Sequence, residues 1–151
     1  MLDFKIETFP HNLIENEINL LIIEDNMDDY YMYKDSLDNV DYPIKTKWIE
    51  DGEDAINYLM EKLDTNHRDL PNIIMIDKNL PGMSGIELLD EIKKVEAFEN
   101  ILTLMVTGDK SDETYESAFD NGIDSFVVKN PLMTTLATKV NHAISTIKNM
   151  K

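Results

Sequence analysis

The stretch Ile73-Ile74-Met75-Ile76-Asp77, with its earlier counterpart Leu20-Leu21-Ile22-Ile23-Glu24-Asp25, decides how this chain is read. Each is a run of four apolar residues that ends in a carboxylate. Runs this short, and apolar on both faces, are strands buried in a parallel sheet. Three carboxylates where two such strands end concentrate negative charge in one place. At about 4 Å and an effective dielectric near 20, each like-charged pair repels by roughly 4 kcal/mol. A fold tolerates that when a cation or a proton compensates. The plain alternative is that strand ends are often capped by acidic, solvated turn residues.

Outward from these two runs, strand and helix alternate five times. Ile18 to Glu24 reads as a strand, followed by a helix over Asp28 to Leu37 that Asn26 or Asp28 can cap. Ile44 to Ile49 is a more polar, edge-like strand. The helix over Gly52 to Leu63 carries Ile56, Leu59, Met60 and Leu63 on one face. A polar loop, Asp64 to Pro71, precedes the central strand Asn72 to Asp77. Ser84 with Glu87 three residues later signals a capping box, opening a helix that runs to about Val95. Ile101 to Val106 is the next strand. The helix Lys110 to Asn121 turns Tyr115, Ala118 and Phe119 inward and ends at Gly122. Ser125 to Val128 is the last strand. The helix Leu132 to Met150 has its apolar stripe at Leu136, Val140, Ala143, Ile144 and Ile147. The expected fold is a doubly wound α/β domain, a five-stranded parallel sheet with right-handed crossovers. Residues 1–16 read as an N-terminal extension, and 17–149 as one domain with no effector domain after it.

The length of 151 residues suits a single core, and 42% hydrophobic with 29% charged residues is ordinary for a globular domain. A net charge of −16 argues against nucleic acid or an anionic membrane as partner. The absence of cysteine excludes disulfides and thiolate chemistry. The first residues lack a basic start and a continuous apolar run, and no stretch approaches the ~20 apolar residues of a membrane span. A cytoplasmic location is the expectation.

In open α/β sheets ligands bind at the carboxyl ends of the strands. Glu24, Asp25, Asp77, Thr107 and Lys129 all fall there. Oxygen-only ligands, with no histidine near a strand end, suit a hard cation such as Mg²⁺. A hydroxyl (Thr107) and an ammonium (Lys129) beside the same carboxylates would serve a phosphoryl group, and an aspartate can itself accept one as an acyl phosphate. Each part has a plain reading too: Thr107 as a turn residue beside Gly108, Lys129 as a solvated strand end. His11, His67 and His142 are scattered, the nine methionines read as core filler, and Trp48, Tyr30, Tyr31 and Tyr33 carry no assigned chemistry.

Together, Leu20 to Asn26, Ile76-Asp77-Lys78-Asn79-Leu80-Pro81-Gly82, Val106-Thr107-Gly108 and Phe126-Val127-Val128-Lys129 resemble the receiver domain of two-component response regulators. The resemblance covers about residues 17 to 149 and implies a flavodoxin-like (βα)5 fold with strand order 2-1-3-4-5. It implies that Asp77 is the phosphoacceptor, served by a sensor histidine kinase or a phosphotransfer protein. Asp25 would be a direct Mg²⁺ ligand, Glu24 the second acidic residue acting mainly through water, and Asn79 a ligand through its backbone carbonyl. Thr107 would hydrogen-bond the phosphoryl group, Lys129 would pair with it, and Phe126 matches an aromatic switch position. The Asp-x-Asn-Leu-Pro wording and the polar loop at 64–71 resemble stand-alone regulators paired with phytochrome-type kinases. One departure stands out: the family has proline directly after the lysine, joined by a cis peptide, whereas here Asn130 intervenes before Pro131.

The leading expectation is therefore a phosphorylatable switch that catalyses only its own phosphorylation and dephosphorylation and is not a conventional enzyme. Its last helix–strand–helix face, Lys110 to Met150, would meet a partner or a second copy in a homodimer. Two other readings are open. A phosphohydrolase working through an aspartyl phosphate would need an acid/base aspartate two residues after the nucleophile, where this chain has Asn79. A receiver-like docking module would need no phosphorylation at all.

Overall fold

A computed structural model describes residues 17–108, 112–130 and 133–149. The expected extension at 1–16, and Pro131 of the departing loop, lie outside the described residues. Five strands form one parallel sheet: β1 (Ile18–Ile23), β2 (Ile44–Ile49), β3 (Ile73–Asp77), β4 (Leu102–Thr107) and β5 (Ser125–Val128), in the order β2-β1-β3-β4-β5. That is the expected doubly wound topology. Between them lie α1 (Met27–Leu37), α2 (Gly52–Thr65), α3 (Gly85–Lys93) and α4 (Asp112–Asp120), and α5 (Leu136–Asn149) follows β5.

Alternation along the strands divides the core into two layers, because successive side chains point to opposite faces. Leu20, Ile22, Ile73, Met75, Leu104, Val106 and Val127 pack against Tyr33 and Leu37 of α1 and Leu136, Val140, Ala143 and Ile144 of α5. Leu21, Ile23, Ile74, Ile76 and Met105 pack on the other face, against Ala55 and Leu59 of α2, Leu88, Leu89 and Ile92 of α3, and Ala118 of α4. Burial on both faces is why β1 and β3 read as continuous apolar runs. The edge strand β2 instead alternates half-buried and exposed residues, with Lys45 and Lys47 exposed.

Local chemistry sets the helix starts. Asn26 Oδ1 accepts from the Asp29 N–H at 2.8 Å and so caps α1. Ser84 and Glu87 make the expected capping box on α3. The polar loop before β3 contains a short 3₁₀ turn at His67–Asp69, capped by Asn66. Gly122 follows α4 at φ 93°, in the left-handed region that glycine enters without a Cβ penalty.

Two apolar-face expectations fail: Met60 on α2 is 40% exposed beside the buried Leu59, and Phe119 on α4 is 56% exposed while Ala118 is fully buried. In a helix, adjacent residues diverge by about 100°, and the sheet takes up only the Ala118 side here. No described peptide bond is cis, so Lys129–Asn130 is trans and departs from the family's geometry.

Candidate functional site

The parallel register brings the carboxyl ends of the strands level: Ile23 pairs with Ile76, Asp77 with Val106, and Thr107 with Val128. Glu24 is the first residue beyond β1, Asp77 ends β3, Thr107 ends β4, and Lys129 is the first residue beyond β5. They meet at one edge of the sheet. Glu24 is 0% and Asp77 4% exposed, and Thr107 is equally enclosed.

Lys129 Nζ occupies the centre of this cluster. It lies 2.9 Å from Asp29 Oδ2, 3.2 Å from Asp77 Oδ2 and 3.6 Å from Glu24 Oε1. Its own N–H donates to the Thr107 carbonyl at 2.8 Å, which carries the β4–β5 ladder one residue further. Asp77 Oδ1 accepts from the Asn79 N–H at 3.0 Å. Both Glu24 oxygens are held: Oε2 by the Asn26 N–H at 3.1 Å, and Oε1 by the Tyr33 hydroxyl. The Glu24 carbonyl accepts from the Trp48 indole N–H at 2.7 Å, and Trp48 stacks on Tyr30 with ring centroids 4.3 Å apart.

Three carboxylates against one ammonium leave negative charge in excess. Burial, followed by the Asp77 contact, pushes the Glu24 carboxyl up to about 8, although Tyr33 and Lys129 pull it down. Burial also raises the Tyr33 phenol, reinforced by its bond to Glu24. At Lys129 burial opposes the charge, but the Asp29 hydrogen bond and the Asp77 and Glu24 carboxylates outweigh it, and the net direction is upward. Oxygen atoms of Glu24, Asp29 and Asp77 lie within 4.8 Å of one another, a hard, oxygen-only donor set that fits a divalent cation such as Mg²⁺.

Of the residues expected at the site, Glu24, Asp77, Thr107 and Lys129 come together. Asp25 lies beside them in the bend after β1, exposed, and outside the three-carboxylate cluster. The Asn79 side chain is also exposed, while its backbone faces Asp77. Phe126 lies half-buried against Tyr115 and Phe119, with ring centroids 4.5 and 5.2 Å away. Sequence reasoning missed Asp29 and Tyr33. A signal was present: the two are four residues apart, on one face of the helix that leaves the first acidic strand end.

A model of the response regulator receiver domain matches residues 20–141. The chain belongs to that family. The receiver domain is 26% identical over 129 residues to the chemotaxis protein CheY-3 of Vibrio cholerae, covering 85% of this chain and 93% of that protein. It is 27% identical to a probable methanogenesis regulatory protein, FilR2, of Methanothrix harundinacea, covering 76% and 74% of the two chains. Two solved response regulators share its fold. Phosphorylated RcpA, a cyanobacterial phytochrome response regulator, superposes with a TM-score of 0.71 at 23% identity, covering 83% and 90% of the two chains. The Mn²⁺-bound form of the response regulator Rcp1 gives 0.70 at 22% identity, covering 85% and 92%. Receiver domains of response regulators act in two-component signalling, interact with histidine kinases or phosphotransfer proteins, and bind Mg²⁺ or Mn²⁺ at an acidic pocket. They are not, in general, enzymes of the ordinary kind. Among the described residues no helix is long and apolar enough to cross a membrane.

Proposed function

We propose that residues 17–149 form a phosphorylatable receiver in which Asp77 accepts a phosphoryl group from the phosphohistidine of a sensor kinase or phosphotransfer protein in the cytoplasm. The observation that carries this reading is the Lys129 ammonium held 3.2 Å from a nearly buried Asp77 carboxylate, among two further carboxylates. An Asp77 carboxylate oxygen attacks phosphorus and the new O–P bond forms. The P–N bond of the donor breaks, and its electron pair returns to the imidazole, which takes up one proton. The product is an acyl phosphate carrying up to about two negative charges.

Asp77, Glu24 and Asp25, with the Asn79 carbonyl, are the residues that would hold Mg²⁺. Bound there, the ion would supply positive charge against the carboxylates and the arriving phosphoryl group. Lys129 offers a point charge to the transferred group, and Thr107, at the end of the neighbouring strand, offers a hydroxyl. The Phe126 ring, packed against Tyr115 and Phe119 of α4, is the aromatic switch position on the α4–β5–α5 face. That face, with Phe119 exposed, is where a partner or a second copy would bind.

Incubation with acetyl phosphate and Mg²⁺ tests the reading. A labile mass gain of one phosphoryl group is expected, absent with EDTA and absent in Asp77→Asn. A protein that gains nothing from acetyl phosphate, phosphoramidate or a phosphorylated kinase is a docking module instead.

A further inference from the structure

Lys129 has a closer partner than the acceptor. Its Nζ is 2.9 Å from Asp29 Oδ2, against 3.2 Å from Asp77, and the pair spans 100 residues of sequence. Asp29 is itself fixed. Its N–H donates to the Asn26 side chain at 2.8 Å, which locks the first turn of α1 over the carboxyl end of the sheet. The remainder of α1 is anchored by Tyr33, whose ring is buried in the core and whose hydroxyl donates to Glu24. An ammonium on a four-carbon stem has many rotamers, and each charge-assisted contact narrows them. Two carboxylates from different elements, Asp29 on α1 and Asp77 on β3, hold the lysine between them.

We propose that Asp29 is a positioning residue: it aims the Lys129 ammonium at the phosphoryl group arriving on Asp77. This rests on the phosphoacceptor reading above. Asp29 keeps its hold on Lys129 while the Asp77 oxygen is consumed in the new O–P bond, so the lysine is already in place for the developing charge. The alternatives are that Asp29 is simply another metal ligand, or that it draws the lysine away from the acceptor.

The test is a double-mutant cycle on the full chain, read as the initial rate of phosphorylation by acetyl phosphate at saturating Mg²⁺. Asp29→Asn is expected to slow the rate about tenfold, the scale of one charge-assisted hydrogen bond. Asp29→Glu recovers part of the loss. In a Lys129→Gln background, Asp29→Asn changes the rate by less than about twofold, because its route is through the lysine. The Mg²⁺ dissociation constant of each variant, followed by fluorescence of the single tryptophan, Trp48, fixes the saturating concentration, so a weaker metal site in Asp29→Asn does not by itself lower the rate. If Lys129→Gln leaves no measurable rate, equilibrium binding of beryllium trifluoride with Mg²⁺ to the same four proteins supplies the cycle.

An equal loss in both backgrounds, or an unchanged or faster Asp29→Asn at saturating Mg²⁺, overturns the proposal while the phosphoacceptor reading stands. A wild-type protein that takes up no phosphoryl group overturns the phosphoacceptor reading itself, and the positioning role with it.

Discussion

Glu24 carries a heavy electrostatic load. It is fully enclosed, with Asp77 beside it, and its carboxyl is pushed up from an ordinary 4.5 to about 8. Between those two values the folded protein binds a proton that the unfolded chain has lost. By linkage, stability then falls as pH rises. Without divalent metal, this group's contribution is therefore intact below about pH 4.5, declines through neutrality and is fully lost above about pH 8. Urea unfolding in EDTA from pH 5 to pH 9 is expected to show that decline, and saturating Mg²⁺ to flatten it, since a cation replaces the proton. Tyr33→Phe removes a donor that favours the ionised carboxylate, so the decline should extend to higher pH in that variant. A profile unaffected by both Mg²⁺ and Glu24→Gln would remove Glu24 from the account.

At the scale of elements, the site depends on how closely α3 approaches the strand that bears Asp77. The Gly85 N–H donates to the Lys78 carbonyl at 2.9 Å, and a Cβ built on Gly85 would stand 2.5 Å from the Asp77 carbonyl oxygen and 2.8 Å from Lys78 Cα. Those are backbone atoms at the acceptor itself and cannot step aside. Gly85→Ala should therefore cost on the order of 2–3 kcal/mol, as overpacking does. Ser84→Ala, which removes only the cap, should cost about 1 kcal/mol. Chemical denaturation ranks the two, and a Gly85→Ala no worse than Ser84→Ala would mean that α3 can shift. The capping box was legible in the sequence because its partners are three residues apart, and the buried strands because both of their faces are apolar. The four elements bearing Glu24, Asp77, Thr107 and Lys129 followed from the strand-end rule. Apolar character alone reads Phe119 as inward, but α4 turns only its Ala118 side to the sheet, and Phe119 instead meets Phe126 at the rim. Asp29 and Tyr33 were missed because their importance arises from contacts to Lys129, 100 residues away, and to a carboxylate one element back. Their four-residue spacing puts both on one face of α1, but local periodicity does not say what that face meets.

For the whole molecule, the −16 charge and the acidic pocket work in the same direction, so any cation stabilises the protein somewhat by screening. A specific site must show itself above that background. At fixed ionic strength, Mg²⁺ at about 100 times its dissociation constant should add about 2.7 kcal/mol of stability, the linkage value for one site that exists only in the folded state. Matched NaCl should not. Asp77→Asn separates the charge from the fold. It takes one carboxylate out of a group of three that shares one ammonium, while the Asn79 N–H keeps an oxygen to donate to. In EDTA this variant should be more stable than wild type by on the order of 1 kcal/mol, the scale of a relieved like-charge contact at high effective dielectric. Its gain from Mg²⁺ should shrink, because a ligand has gone. Destabilisation in EDTA would mean instead that the Lys129–Asp77 ion pair outweighs the repulsion among the carboxylates. The acidic strand ends would then be held together by their lysine rather than kept apart from collapse by a metal.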